Sequence, residues 1–234
     1  MKRLEKASGN LLRDHSTPPL ALPGTETVSI RRSNFFYKFI RTIGYPCFHS
    51  IYRIQIQGRE NIPSEGPGIL VPKHQFWTDI PIVAFAAWRP VSYIAKKELF
   101  IYPGIRHFLS SLGAISLDRG NPVKTLDSFR LLEKLLKEKE FVVVFPEGTY
   151  YPHSMGRGKH RFIERILRFQ GKMGWQGAQA IPFIPIGIRY LEKKFRTEVQ
   201  VKIGAPIISN GEQDPEEFTE QILEEIARLS ELKK

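Results

Sequence analysis

The sequence has one cysteine and lacks any long run of uncharged apolar residues. The single thiol of Cys47 excludes an internal disulfide and a zinc site built from cysteines. A membrane-spanning helix needs about 18 predominantly apolar residues, and the best candidate, residues 35–54, is interrupted by cations such as Lys38 and Arg41. The polar residues after Met1–Arg3 do not form the core of a secretory signal. We therefore expect no conventional membrane span, which leaves open a helix lying on a membrane surface.

Negative charge and several familiar motifs are also scarce. Asp and Glu number 24 against 35 Lys and Arg, and the resulting charge of +11 favours an anionic partner, either nucleic acid or a membrane surface. No zinc-finger, RNP or KH signature is present, and the cations are not confined to one helix, which argues against a nucleic-acid-binding domain. The chain has no Gly-x-Ser-x-Gly elbow, so a serine nucleophile of that kind is not expected.

From residue 54 onward, short apolar runs alternate with helical patterns. This alternation predicts an α/β domain over residues 54–234, in which helices cover both faces of a sheet. We expect strands at Ile54–Gln57, Gly68–Pro72, Val91–Ala95, Ala114–Leu117, Phe141–Phe145, Ile184–Ile188 and Val199–Ile203. We expect helices at Asp79–Ala87, Tyr102–Leu112, Pro122–Lys139 and His160–Met173, and a final helix capped by Asp214.

Two segments precede this domain. Residues 1–28 are polar, contain three prolines and predict a loosely ordered basic arm. Residues 29–53 carry aromatic and aliphatic side chains at helical spacing with cations between them, and Pro46 is expected to divide them into two short helices. Such a segment either packs on the domain core or lies as an amphipathic helix in the lipid interface.

His74 and Asp79 follow the predicted strand Gly68–Pro72 and form the first candidate site. Two side chains five residues apart diverge in a regular helix. They can meet if His74 lies in the loop and Asp79 opens the next helix. The carboxylate then accepts a hydrogen bond from one imidazole nitrogen and leaves the other as a base facing a cleft. Alternatively, Asp79 is an ordinary first-turn residue of that helix.

The motif Phe145-Pro-Glu-Gly-Thr149 follows the most apolar predicted strand. Ligands collect at the carboxyl ends of strands in open α/β sheets. Glu147 and Thr149 there offer an acceptor and a hydroxyl to a cleft, and Gly148 permits close backbone approach. Taken alone, the motif is better explained as an ordinary turn that ends a strand.

Cations and prolines mark the remaining strand ends. Lys96 ends one predicted strand, and Arg119 follows another, where it binds a phosphate or pairs with Asp118 at the surface. Pro182 and Pro185 interrupt an apolar strand, which predicts an edge strand or the wall of a cleft.

Together and in this order, the motifs resemble the glycerolipid acyltransferase family, and most strongly its bacterial 1-acylglycerol-3-phosphate (lysophosphatidic acid) acyltransferases. The shared blocks are His-x4-Asp at 74–79, Lys-x-Glu-Leu at 96–99, Gly-x4-Asp-Arg at 113–119, Phe-Pro-Glu-Gly-Thr at 145–149 and the proline-containing strand at 181–188. The resemblance covers roughly residues 55–208. It implies a three-layer α/β/α domain with a mixed central sheet, preceded by N-terminal amphipathic helices that associate with the membrane.

The resemblance also implies a role for each motif residue. His74 matches the general base and Asp79 the residue that orients it, with no covalent acyl-enzyme. Lys96 and Arg119 match contacts to the acceptor's phosphate. The other acceptor-binding and acyl-chain positions match Glu147, Gly148, Thr149, Pro182 and Pro185. The implied partners are acyl-CoA or acyl-carrier protein, a lysophospholipid and the anionic surface of a membrane at its cytoplasmic face, with no metal, no other cofactor and no nucleic acid.

Two residues depart from the family pattern. Lys73 stands where many members have Asn, and Tyr150 stands where most have Arg. The second departure leaves lysophosphatidate, glycerol 3-phosphate and a lyso-aminolipid open as acceptors. A long basic and apolar segment, residues 157–172, predicts either a solvated helix or a second helix in contact with the membrane. A metal hydrolase is disfavoured because no second histidine lies at ligand spacing from His74.

Overall fold

The computed structural model describes residues 38–87, 89–118 and 121–233. The predicted arm, residues 1–28, and the first part of the predicted amphipathic segment lie outside this description. The strands are β1 (Tyr52–Gln57), β2 (Gly68–Pro72), β3 (Val91–Lys96), β4 (Ile115–Leu117), β5 (Phe141–Val143), β6 (Phe183–Leu191) and β7 (Thr197–Ile203). The α-helices are α1 (Tyr45–Ile51), α2 (Asp79–Ala86), α3 (Pro103–Ser111), α4 (Pro122–Lys137), α5 (His160–Lys172) and α6 (Pro215–Ser230).

The seven strands form one mixed sheet in the order β1-β7-β6-β2-β5-β3-β4. Strand β2 lies between β5 and β6 and runs parallel to both, and β3 and β4 continue the parallel part beyond β5. Strand β7 is antiparallel to β6 and parallel to β1. The strands β2, β3, β5 and β6 therefore end at one edge of the sheet, the carboxyl edge, and β1 begins at that same edge.

The central strands are apolar on both sides because helices cover both faces. In β5, Phe141 and Val143 face a core formed with α2 and α3, whereas Val142 faces a second core formed with α4, α5 and α6. Two half-buried side chains of α1, Tyr45 and Phe48, pack against the first core. The expected three-layer α/β/α architecture with a mixed sheet is confirmed for the described residues.

Capping residues fix where two of the long helices begin. The side chain of Asn121 accepts hydrogen bonds from the backbone N–H groups of Val123 and Lys124 at the start of α4. Asp214 accepts from Glu216 and Glu217 in the same way at the start of α6. A proline follows each cap in the first turn, where its missing N–H costs no hydrogen bond.

Two expectations about proline need correction. The chain stays helical from a π-helical turn, Ile40–Gly44, into α1, so Pro46 lies in the first turn of α1 and does not break the helical path. Strand β6 is not an edge strand, because β2 and β7 flank it. Pro185 is tolerated there because the β6–β7 ladder begins one residue later, at Ile186.

Most of the basic segment 157–172 forms helix α5. Its apolar side chains Ile163, Ile166 and Phe169 are buried in the second core, whereas Arg161 and Arg168 are exposed. The structure supports the solvated-helix interpretation, since the apolar face of α5 is already covered by protein.

Candidate active site

The loop after β2 brings His74 and Asp79 together at the carboxyl edge. Nδ1 of His74 lies 3.1 Å from Oδ2 of Asp79, and the carboxylate is fully buried. His74 lies in the loop and Asp79 is the first residue of α2, which is the arrangement that the five-residue spacing requires. Among the described residues, no protein group hydrogen-bonds to Nε2 of His74, so this nitrogen is free to accept a proton.

Four further donors hold the Asp79 carboxylate and its loop. Oδ2 accepts hydrogen bonds from the backbone N–H groups of Gln75 at 2.5 Å and Phe76 at 2.8 Å. Oδ1 accepts from the hydroxyl of Tyr190 on β6 at 2.6 Å. The side chain of Gln75 donates to the carbonyl of Ile188, 2.6 Å away, and ties the same loop to β6. A carboxylate with this many donors is fixed in orientation.

Aromatic rings fix the plane of the His74 imidazole. The ring stacks on Phe145, with 3.7 Å between centroids and 21° between planes. The ring of Tyr150 lies 4.3 Å away on a tilted plane. Burial and the charge of Asp79 raise the pKa of the Tyr150 hydroxyl, which is therefore a neutral hydrogen-bonding group beside the imidazole.

A buried ion pair connects this loop to the motif after β5. Nζ of Lys73 lies 2.7 and 2.8 Å from the two carboxylate oxygens of Glu147, and both side chains are completely buried. The same carboxylate accepts hydrogen bonds from the backbone N–H of His74 at 3.1 Å and of Gly156 at 2.6 Å. Burial lowers the pKa of Lys73, and the Glu147 carboxylate opposes that change.

Glu147 therefore does not occupy the position expected for it. The sequence suggested an acceptor facing the cleft, but protein donors engage both oxygens, and no part of the carboxylate is exposed. Burial of a carboxylate requires this pairing, because an uncompensated charge is costly away from water. Its contact with the His74 backbone makes it a support for the imidazole loop.

The other polar residues at the carboxyl edge are more open. Gly148 has φ +68° in the turn after β5, which favours glycine, and Thr149 beside it is exposed. Lys96 ends β3 with an exposed side chain. Lys97, which the sequence analysis did not select, pairs with Asp118 across 2.9 Å. Arg119 follows Asp118 directly but lies outside the described residues.

Pro182 lies away from this edge, whereas Pro185 lies inside the sheet near the end of β2. Pro182 precedes β6, and its carbonyl accepts a hydrogen bond from Ile69 near the start of β2, so it lies at the opposite end of the strands from His74. Pro185 is buried in the sheet, level with Val71 of β2. Pro182 is therefore not at the His74 end of the sheet, and the acyl-chain role of these two positions stays a prediction.

An aromatic cluster borders the His74 loop on the side of β1. Phe48 of α1 stacks on Tyr52 and makes an edge contact with Trp77, and Tyr52 contacts Tyr190. Trp77 is 63% exposed, and Ile51 of α1 is 61% exposed. One side of α1 packs on the core, as one interpretation of the sequence predicted. The other side presents apolar residues to solvent beside the site, which is compatible with the second interpretation, a helix in the lipid interface.

Comparison with protein-family models identifies the kind of site. A model described as Acyltransferase matches residues 53–189, more than half of the chain. The chain belongs to the acyltransferase family. The match contains the His74 loop, the Glu147 turn and both prolines of this acyltransferase family member, and it ends one residue before Tyr190.

Named relatives and a solved structure agree with the family. A 1-acyl-sn-glycerol-3-phosphate acyltransferase of Pseudomonas aeruginosa is 29% identical over 170 residues, which cover 68% of this chain and 61% of the relative. One from Bacillus subtilis is 34% identical over 97 residues, 41% of this chain and 48% of the relative. The crystal structure of the 1-acyl-sn-glycerophosphate acyltransferase PlsC from Thermotoga maritima superposes with a TM-score of 0.65 at 25% identity, covering 84% of this chain and 79% of that one. The chain spans about half or somewhat more of the length of these two curated relatives.

Two features of this acyltransferase site were missed by sequence reasoning. Lys73 was noted only as a departure from the family pattern, because its partner Glu147 is 74 residues away and an ion pair at that separation leaves no local signal. Tyr190 was not selected, although its position near the end of β6 at the carboxyl edge was a usable signal. Within the described residues, no helix is long and apolar enough to cross a bilayer.

Proposed function

We propose that the chain transfers a fatty acyl group from an acyl thioester, acyl-CoA or acyl-carrier protein, to the free hydroxyl of a lysophospholipid, with 1-acylglycerol-3-phosphate as the first acceptor to test. The observation that supports this most is the buried Asp79 carboxylate that holds Nδ1 of His74, while Nε2 has no hydrogen-bond partner among the residues that the structure describes. The relatives named above act, by their names, on that acceptor.

The proposed chemistry needs a base but no enzyme nucleophile. Nε2 of His74 takes the proton of the acceptor hydroxyl as its oxygen attacks the thioester carbonyl, and an ester C–O bond forms. The C–S bond then breaks, and the imidazolium returns the proton to the departing thiolate. Asp79 keeps the proton-bearing Nδ1 in place and stabilises the imidazolium between the two transfers. Arg119 and Lys96 bind the acceptor's phosphate in this proposal, as the resemblance implies.

We further propose that the protein works at a membrane surface at its cytoplasmic face, without spanning it. The acceptor is a lipid, and the apolar side chains of Phe39, Ile43, Ile51 and Trp77 are exposed on or beside the helix that borders the site. The net charge of +11 adds attraction to anionic lipid.

A second acceptor class is favoured by one residue. Tyr150 lies against His74 where most family members have Arg, so a cation is missing next to the base. A lyso-ornithine lipid O-acyltransferase of Pseudomonas aeruginosa is 27% identical over 128 residues, 55% of this chain and 46% of the relative. A lyso-aminolipid is therefore the second acceptor to test, with glycerol 3-phosphate as the third.

An acceptor panel tests the proposal. The purified chain is reconstituted on vesicles with one labelled acyl thioester and, separately, lysophosphatidate, glycerol 3-phosphate or a lyso-aminolipid. We expect a labelled diacyl product with lysophosphatidate and none with the His74→Ala variant. A labelled product from only the lyso-aminolipid would make that lipid the acceptor in place of lysophosphatidate and leave the proposed acyl transfer unchanged. Labelled product from none of the three acceptors would contradict the proposed function.

A further inference from the structure

We infer that Tyr190 is a positioning residue of the acyl transfer, holding the Asp79 carboxylate so that its other oxygen faces His74. The hydroxyl of Tyr190 donates to Oδ1 of Asp79 at 2.6 Å, while Oδ2 takes the imidazole at 3.1 Å. This inference rests on the proposed roles of His74 and Asp79.

The neighbours of the Tyr190 hydroxyl determine the direction of its two hydrogen bonds. Thr78 lies 2.8 Å from the same oxygen, so its hydroxyl donates to Tyr190 while Tyr190 donates to Asp79. Burial and the Asp79 carboxylate raise the pKa of Tyr190, so the phenol keeps its proton and acts as a donor. The backbone donors of Gln75 and Phe76 both reach Oδ2, which makes Tyr190 the partner that fixes Oδ1 among the described residues.

The geometry predicts an effect on turnover rather than on substrate binding. Without the phenol, Asp79 rotates more freely about its terminal torsion, and the imidazole is held less often in the productive orientation. We expect Tyr190→Phe to lower kcat about tenfold, as for a lost hydrogen bond to a charged group. The KM values for the acyl donor and the acceptor should stay within about twofold.

The matched control is Tyr52→Phe. The rings of Tyr52 and Tyr190 make an edge contact, with 6.3 Å between their centroids, but the Tyr52 hydroxyl makes no hydrogen bond to Asp79 in the structure. We expect its kcat to equal that of the parent chain. A double-mutant cycle gives the decisive readout, because Tyr190→Phe should cost less than twofold once Asp79→Asn has removed the charge that Tyr190 holds.

Three results would overturn the inference. They are an unchanged kcat in Tyr190→Phe, an equal loss in Tyr52→Phe, and a loss in the Asp79→Asn background as large as in the parent. The proposed function fails separately, if His74→Ala keeps its turnover.

A second inference concerns the tip of the β6–β7 hairpin and rests on a different observation. Residues 192–196 are all exposed, and Phe195 is 94% exposed. Three cations, Lys193, Lys194 and Arg196, flank this phenylalanine. An aromatic side chain surrounded by cations is suited to the headgroup region of an anionic bilayer.

The topology places this tip beside the exposed residues of α1. Strand β6 ends at the carboxyl edge, so the turn that follows it projects from that edge. Arg196 donates a 2.8 Å hydrogen bond to the carbonyl of His49, which fixes the tip against α1. We propose that Phe195 inserts into an anionic lipid surface while Lys193 and Lys194 bind its headgroups, as a second contact that deepens the proposed membrane association.

A fluorescence experiment tests this contact directly. With Cys47 replaced by Ser, an environment-sensitive label is placed on Phe195→Cys or, as the matched control, on Ile208→Cys. Ile208 is 48% exposed but follows the bridge between Ile207 and Phe183, at the opposite edge of the sheet. We expect vesicles containing phosphatidylglycerol to raise the emission at 195 and leave that at 208 unchanged. No change at 195, or an equal change at both, would overturn the proposal.

Binding and activity separate this contact from the chemistry. Phe195→Ser should weaken co-sedimentation with anionic vesicles about tenfold, because the variant has no phenyl ring to bury in the lipid. Lys193→Gln with Lys194→Gln should do the same at low salt and less at high salt. Turnover of a dispersed short-chain acceptor should stay unchanged in Phe195→Ser. Unaltered vesicle binding in both variants would contradict the contact, whereas failure of the parent chain to turn over any acceptor would contradict the proposed function instead.

Discussion

The loop after β2 and the open positions after β3 and β5 lie at the same edge of the sheet but are built differently. Asp79, Lys73 and Glu147 are completely buried, and each is held by several hydrogen bonds. Lys96 and Thr149 are exposed. The buried part holds one imidazole in one orientation before any substrate arrives, whereas the exposed part keeps side chains that can adapt to an acceptor. We expect changes in the buried part to affect turnover and stability, and changes in the exposed part to affect acceptor binding.

The largest effect is expected from removing the imidazole. His74→Ala should lower kcat by about 10²- to 10⁴-fold, the usual contribution of a general base. Its free energy of unfolding should stay close to that of the parent, because the neighbouring ion pair is retained. The check is steady-state turnover on vesicles together with denaturant unfolding. Turnover within about tenfold of the parent would remove His74 from this role.

Breaking the buried ion pair comes next. Lys73→Met leaves Glu147 charged and unpaired, and should lower the free energy of unfolding by about 3–5 kcal/mol. Lys73→Met with Glu147→Gln removes both charges. The amide oxygen can accept from only one of the His74 and Gly156 N–H groups, which bind different carboxylate oxygens, so the double variant should recover part of that loss. Urea unfolding of both variants is the measurement. Equal stability of the single and double variants would show that charge pairing is not what Lys73 contributes.

A smaller effect is expected on the exposed side. Lys96→Ala should raise the acceptor KM by about two- to fivefold, the usual range for an exposed ion pair, and leave the acyl-donor KM unchanged. Glu98→Ala, two residues along and also exposed, is the matched control and should leave both KM values as they are. A change confined to the donor KM would place Lys96 at the other substrate.

The smallest change tests the departure from the family pattern. Tyr150→Arg restores the commoner residue at a position that is 47% exposed. If the acceptor is a phosphomonoester, kcat/KM for lysophosphatidate should stay within about threefold or improve, since a guanidinium binds phosphate well. A collapse for lysophosphatidate together with retained lyso-aminolipid turnover would instead assign Tyr150 to a differently shaped acceptor site.

The sequence predicted most of this fold because its signals are local. Apolar runs such as Phe141–Val143 mark buried strands, and Asp214 marks a helix start through its own side-chain cap. His74 and Asp79 were also predictable, since only a loop followed by a helix start lets them meet. Glu147 was misplaced because its burial depends on Lys73, and that pairing arises only when β2 and β5 become neighbours. Tyr190 was missed because its carboxylate lies 111 residues away and because its place near the end of β6 was not used.

In the proposed reaction, His74 activates the acceptor hydroxyl for direct attack on the thioester. A single-turnover quench tests this step by following where the acyl label resides, with excess protein, a labelled acyl thioester and vesicles with or without lysophosphatidate. We expect the label to pass to lipid only when acceptor is present, never to reside on the parent chain, and to stay on the thioester with His74→Ala. Label that accumulates on the protein and then moves to lipid at the turnover rate would contradict it, as would equal transfer by His74→Ala.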